Sequence, residues 1–321
     1  MKKRTFLAAM AASMLMTAPV LAQSTQAPAR IVVSFSAGGP VDMVARIVAE
    51  QLGKELGRPV IVDNKPGASG FLGAQDVLRA PADGNTIWIS SVGTAAINPS
   101  LFENIPYNTQ KDFRPVSLIA NNVEVFVINP SLPAKTAAEF VEYARKETTP
   151  PAIASSGIGG IPHLAMLQLT QSSGVDFLHV PYRGMAQAIT DVVGGQVAGV
   201  FADVAAVLPQ IEAGRLRPVG IAAAERHPAL PDVPTFEEQG IQAVDSNNWY
   251  GLFVSAQTPD DVVANLNAAV QRTMANEDVR NRLVQAGTQP QASTEAELKE
   301  RLDADTAKWG ALIKANNIKP E

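Results

Sequence analysis

Two glycine- and serine-rich stretches carry the residue types that can hold an anion through the backbone. In "SFSAGGPVDMVAR" (Ser34–Arg46), Gly38 and Gly39 follow the apolar run Ile31, Val32, Val33, and Pro40 opens a helical pattern. In "ASSGIGGIPHLAM" (Ala154–Met166), Ser155, Ser156, Gly157, Gly159 and Gly160 lead to Pro162 in the same way. Glycine frees the turn, proline suits a first helical turn, and the helix start presents unpaired N–H groups where small anions sit. Asp42 in the first turn would complement the dipole or accept a backbone N–H. Either stretch alone reads equally well as a plain strand-to-helix connection. Two of them, facing each other, would give an anion two sets of donors, with ~0.3–2 kcal/mol per terminus from the dipole. The repetition favours binding.

Other candidates stand at the ends of β-like runs. "HVPYRG" places Tyr182 and Arg183 where α/β sheets bind ligands, and Arg183 could pair with a carboxylate or lie solvated on the surface. "SSVGTAAINP" supplies the hydroxyls of Ser91 and Thr94, for a ligand or for capping a turn. "PGASGFLG" resembles a glycine-rich phosphate loop but lacks the Gly-Lys-Ser/Thr ending. Signals for catalysis are poorer. His163, His179 and His227 lack metal-ligand spacing, and His163 suits a hydrogen bond near its helix start. Ser69 sits in a loose Gly-x-Ser-Gly rather than a nucleophile elbow. Asp203 and Asp245 could be paired in space. With no cysteine in 321 residues, no disulfide, metal thiolate or thiol nucleophile is available. No metal and no organic cofactor is expected.

The elements that must position these residues alternate. β-branched runs at 30–35, 60–63, 86–90, 123–128, 152–155, 177–180, 198–201 and 217–222 are separated by helical patterns, the first with Val41, Val44, Val48 and Leu52 on one face. That pattern predicts an α/β fold with mainly parallel sheets flanked by helices. No linker cuts the chain in sequence. Extended segments near 123–129 and 249–255 read as two crossings between lobes, giving lobe 1 as 30–126 plus 251–321 and lobe 2 as 127–250, with a ligand cleft between them.

The N-terminus reads as an address. Lys2, Lys3 and Arg4, an apolar run from Phe6 to about Met16, and a cut after Ala22 predict a signal peptide over 1–22 and a periplasmic protein. The run is shorter than the ~20 residues a membrane helix needs. The formal charge is −5, and the leader holds three cations, so the remainder is more acidic still. This disfavours nucleic acid and anionic membrane as partners. Any anionic ligand must then be held by local dipoles.

The ordered motifs "GGPVDMVAR", "VIVDNKPGASGFLGAQ", "ADGNTIWISS", "NPSLFENIPYNTQKDFRPVSLIA", "SSGIGGIPHLAM", "HVPYRGMAQAITDVVGGQV", "GRLRPVGIAA", "LPDVPTFEEQG" and "WYGLFVSAQTP" span the chain beyond the leader. In them the chain resembles the periplasmic solute-binding proteins of tripartite tricarboxylate transporters, the Bug group. The resemblance implies a two-lobed periplasmic-binding-protein fold of type II that closes on a small carboxylate, aliphatic or aromatic (terephthalate, for example). It also implies a monomer that partners the membrane subunits of such a transporter and performs no catalysis. By resemblance the carboxylate is held by the two helix-opening loops: Phe35, Ser36, Ala37, Gly38 and Gly39 on one side, and Ser155, Ser156, Gly157, Gly159 and His163 on the other. Ser91, Thr94, Tyr182, Arg183 and Asp203 complete the expected site. The family usually has prolines around the aromatic, where Ser34, Ser36 and Ala37 stand here.

Overall fold

A computed structural model describes residues 27–182 and 184–320. The expected leader (1–22) and Arg183 lie outside the described residues. The chain begins with β1 (Ala29–Val33), α1 (Pro40–Leu56), β2 (Val60–Asn64), α2 (Phe71–Arg79), β3 (Thr86–Ser91), α3 (Asn98–Leu101), α4 (Thr109–Asp112) and β4 (Phe113–Asn122). A second series follows: β5 (Glu124–Ile128), α5 (Ala137–Lys146), β6 (Ala152–Ser155), α6 (Ile161–Ser173), β7 (Leu178–Pro181), α7 (Met185–Val193), β8 (Gly199–Asp203), α8 (Val204–Glu212) and β9 (Arg217–Ile221). The chain then returns through β10 (Asn248–Ser255), α9 (Asp260–Ala275), α10 (Glu277–Gln285), β11 (Gln289–Pro290) and α11 (Glu295–Ala315).

These strands build two sheets, ordered β11-β4-β10-β3-β1-β2 and β7-β6-β8-β5-β9. The orders are the same pattern twice. In each sheet the antiparallel strand between two parallel-running neighbours is the one that has just arrived from the other sheet: β10 between β3 and β4, β5 between β8 and β9. The α/β, two-lobed expectation holds, with this refinement: the inserted strands make both sheets mixed. The segments expected as crossings are these inserted strands. The chain changes sheet at Val123 and again just before Asn248, so boundaries drawn at 126/127 and 250/251 fall inside β5 and β10.

Each sheet is covered on both faces, which is why its strands read as continuous apolar runs rather than alternating ones. On the first sheet, α1, α9 and α10 pack one face through Val44, Val48, Leu52, Val270 and Leu283. The other face holds Trp88 and Trp249, on which α11 packs with Trp309. Fully burying such side chains contributes roughly 1.5–3 kcal/mol each. The second sheet carries α5 and α6 on one face, where Phe140 of α5 packs with Phe126 and Phe201, and α7 and α8 on the other, where Val192 of α7 packs with Val125 and Val200. β4 was not anticipated, because Pro115 argues against a central strand. It is accommodated at a register shift, where Phe253 pairs with Pro115 after Leu252 has paired with Ser117. Among the described residues no helix is long and apolar enough to cross a membrane.

Candidate functional site

The two turns singled out in the sequence are built alike. β1 passes to α1 through Gly38 (φ +83°) and the extended N-cap Gly39; β6 passes to α6 through Gly159 (φ +75°) and the extended N-cap Gly160. Left-handed backbone costs an ordinary residue roughly 1–2 kcal/mol, so Gly38 and Gly159 suit their places. In each turn this glycine donates its N–H to a side chain four residues on. Gly38 reaches Asp42 Oδ2 at 2.8 Å, and Gly159 reaches His163 Nδ1 at 3.0 Å. Gly157 donates to Ser155 Oγ at 3.2 Å.

These bonds correct one expectation. The amides of Gly38, Gly157 and Gly159 are already engaged and are not the free donors. Neither N-cap glycine supplies a side-chain acceptor. The N–H groups with no helical carbonyl behind them are therefore those of the first turns, Val41 and Asp42 in α1 and Ile161 and His163 in α6; Pro40 and Pro162 have none to leave unpaired. The glycines contribute room instead. A Cβ on Gly38 or Gly157 would meet nothing within 4 Å.

The acceptors that hold the two turns differ in charge. Asp42 is 2% exposed and also accepts from Arg46 Nε and Asn64 Nδ2, both at 2.9 Å. Burial alone would push its carboxyl up, but the bonds from Arg46, Gly38 and Asn64 outweigh that and hold it below the ordinary range. His163 lies flat on His179, ring centroids 3.8 Å apart and planes within 2°. Burial, reinforced by His179, pushes His163 down to about 4, and burial pushes His179 down as well. Both rings are neutral at pH 7, as an Nδ1 acceptor requires. His179 Nε2 is 2.6 Å from Ser155 Oγ, whose hydroxyl also lies 3.0 Å from the Gly157 carbonyl. Ser155 has the neighbour a nucleophile needs, but it is fully buried and braced within its own turn.

The other candidates separate. Ser36, Ala37 and Ser156 are exposed beside their turns. Phe35 packs on the first core, and its carbonyl accepts from Asn64 Nδ2 at 3.1 Å. Ser91 is buried at the end of β3, opposite Tyr250. Thr94, in a π-helical turn (Gly93–Ile97), is buried against Gly70, where a Cβ would come within 2.8 Å of Thr94 Cγ2. Tyr182 turns its hydroxyl to Asp191 Oδ2 at 2.6 Å, so that hydroxyl is spent locally. Asp203 stands at the end of β8 opposite Glu124. The α6 turn is docked on the first lobe: a Cβ on Gly159 would lie 2.6 Å from Leu101 Cδ2, and Ile161 and Leu164 share a core with Trp88 and Leu101. His179 and Leu101 were not anticipated. Histidine 24 residues from Ser155 gives no local signal, since only the β6–β7 pairing of Ile153 with His179 brings the two together.

Residues 44–318 match the sequence profile of the tripartite tricarboxylate transporter family receptor. The chain belongs to this receptor family. The match begins within α1, just after the β1–α1 turn. A Pseudomonas sp. (strain P51) protein encoded between tcbD and tcbE is 34% identical over 287 residues, 89% of this chain and 85% of that protein. Among solved structures, R. palustris Rpa4515 with adipate is 30% identical, covering 92% of this chain and 98% of that one at TM-score 0.78. MatC from Rhodopseudomonas palustris with bound malate is 33% identical, covering 89% and 98% at TM-score 0.73. The family is a receptor family, and its structural neighbours include a periplasmic binding protein, BugD, and a TctC solute binding protein from Polaromonas: solute-binding proteins, not enzymes.

Proposed function

We propose that this receptor-family chain captures a small carboxylate between its two lobes in the periplasm and presents it to the membrane subunits of a tripartite tricarboxylate-type transporter. The observation that carries the reading is the pair of helix starts, α1 and α6, each with a glycine N-cap, an adjacent proline and first-turn amides left unpaired. Two such termini attract an anion without a cationic side chain, which suits an acidic chain. Adipate and malate, named with its neighbours, are small dicarboxylates of the kind this reading requires. The binding set is the two turns, with Ser91, Thr94, Tyr182, Arg183 and Asp203 around them. The protein acts as a monomer whose two lobes rotate about the crossings where the chain changes sheet, at Val123 and just before Asn248.

A thermal-shift screen of malate, adipate, citrate, terephthalate and nicotinate, each beside its neutral amide or ester, tests this. A ligand at 100 times its dissociation constant adds ~2.7 kcal/mol, which raises the midpoint by several degrees. One carboxylate should shift the midpoint while its neutral analogue does not. A neutral compound stabilising as well as its acid would remove the reason for invoking the helix starts.

A further inference from the structure

Where the chain passes between sheets it sets two acids against each other, Glu124 buried and Asp203 half-buried. Glu124 opens β5 and Asp203 closes β8, and the two are direct partners in the antiparallel ladder. Their side chains therefore leave the same face, with Cβ atoms about 4.5–5.5 Å apart. Glu124 is 2% exposed. Its Oε2 accepts from Ser246 Oγ at 3.0 Å, which ties the outgoing crossing to the returning one. Asp203 Oδ1 is enclosed and has no hydrogen-bond partner. Asn122, the last residue of β4, is 4% exposed, and its Oδ1 is likewise enclosed and unpartnered. Among the described residues, the further titratable group coupled to the pair is Tyr250 on β10, whose phenol is pushed up by burial and by Asp203. Among the described residues no lysine or arginine forms a salt bridge with either carboxyl.

Two ionised carboxylates placed directly opposite each other in a dry setting repel strongly, and a single proton relieves both the repulsion and one desolvation penalty. We propose that Glu124 and Asp203 form a proton site at the junction of the two sheets, carrying one proton between them at neutral pH, and that ionising both acids loosens the junction. Burial pushes Asp203 up to about 6, and burial together with the Asp203 charge pushes Glu124 well above the usual carboxylate range. The proton gives the enclosed oxygens a donor within the pair. The sign of the linkage follows. The folded state binds a proton that the unfolded chain has released, so stability falls as pH rises.

Infrared spectra of the full chain read the un-ionised carboxyl directly. At pH 7 the wild type should show its carbonyl band, and Glu124→Gln should lack it. Asp203→Asn should move the pH at which the band disappears to a lower value. Titrations common to both proteins cancel in their difference, so the thermal midpoint of the wild type relative to Glu124→Gln should fall as pH rises from 5 to 8, by roughly 2 °C for each unit crossed with the extra proton bound. A wild type with no such band at pH 7 would overturn the proposal, because both acids would then be ionised and balanced by a cation. An Asp203→Asn protein whose band titrates as the wild type's does would overturn the sharing. Should Glu124→Gln fail to fold, the wild-type band and Asp203→Asn decide.

Discussion

Replacing Gly159 with alanine tests the docking of the α6 turn on the first lobe. Two costs apply. The backbone at φ +75° charges a Cβ-bearing residue about 1–2 kcal/mol. The new Cβ would also stand 2.6 and 2.8 Å from the two Leu101 methyl carbons, well inside the ~3.5–4.0 Å of carbon–carbon contact. Leu101 is 8% exposed and packed in the tryptophan core, so it has little freedom to withdraw. Overpacking of this kind costs typically ~1–3 kcal/mol. Gly159→Ala should therefore lose about 2–5 kcal/mol in urea denaturation followed by circular dichroism. Gly157→Ala is the control: its φ of +140° is also strained, but nothing lies within 4 Å of the added carbon, so it should lose less. Leu101→Ala alone should cost ~2–5 kcal/mol by leaving a cavity. Combined with Gly159→Ala it should cost ~1–3 kcal/mol less than the sum, because each change relieves the other. Strict additivity, or a Gly157→Ala as costly as Gly159→Ala, would refute the docking argument.

Two further outcomes follow from the acceptors of the twin turns. His163 is held at about 4 against an ordinary 6.5, so its contribution is complete above pH 6.5 and is lost as pH falls toward 4, roughly 3 kcal/mol at most. His163→Asn keeps an acceptor for Gly159 without titrating there, so the wild type's stability relative to it should rise as pH goes from 4 to 6.5; a constant difference would contradict the assignment. Asp42→Ala removes the acceptor of Gly38, Arg46 and Asn64 together. At ~1–3 kcal/mol for each buried donor left unpaired, and with Arg46 free to reach water, it should lose about 2–4 kcal/mol at pH 7. Because the Asp42 carboxyl is held below its ordinary range, that difference should shrink as pH falls below about 4. A pH-independent difference would count against it.

The parts of the fold that could be read from sequence are those specified locally. Runs such as 60–63 and 198–201 read as strands because β-branched and aromatic residues need a packed sheet, and glycine beside proline marks both helix starts. β4 was hidden by Pro115, whose place at a register shift depends on β10, more than 130 residues away. The end of β1 was read two residues too far, since Ser34 and Phe35 continue the strand pattern while leaving the ladder. At the site, glycine was the right signal for the turn and the wrong one for the donor. An N–H is spent or free according to which side chain returns to it. Asp42 hinted at this by its spacing, but the stacking of His179 on His163 did not, because it joins a helix start to a strand paired from elsewhere. Glu124 and Asp203 were further out of reach: β5 neighbours β8 only through the inserted-strand topology.

The twin turns do the same backbone work with different electrostatics, and the difference bears on where an anion would sit. In α1 the side chain that closes the turn is a carboxylate, so a fixed negative charge already lies against the positive end of that helix. Arg46 offsets it, but Arg46 is about half exposed and screened by solvent. In α6 the closing group is a neutral imidazole, which leaves the helix dipole uncompensated. A terminus of this kind contributes typically ~0.3–1 kcal/mol toward a negative charge, and the α1 terminus has already drawn part of its share from Asp42. A ligand carboxylate held between the two therefore gains more from the amides of Ile161 and His163 than from those of Val41 and Asp42. On the proposed reading the α1 turn, with nothing within 4 Å of Gly38's open side, would supply shape and hydrogen bonds rather than charge.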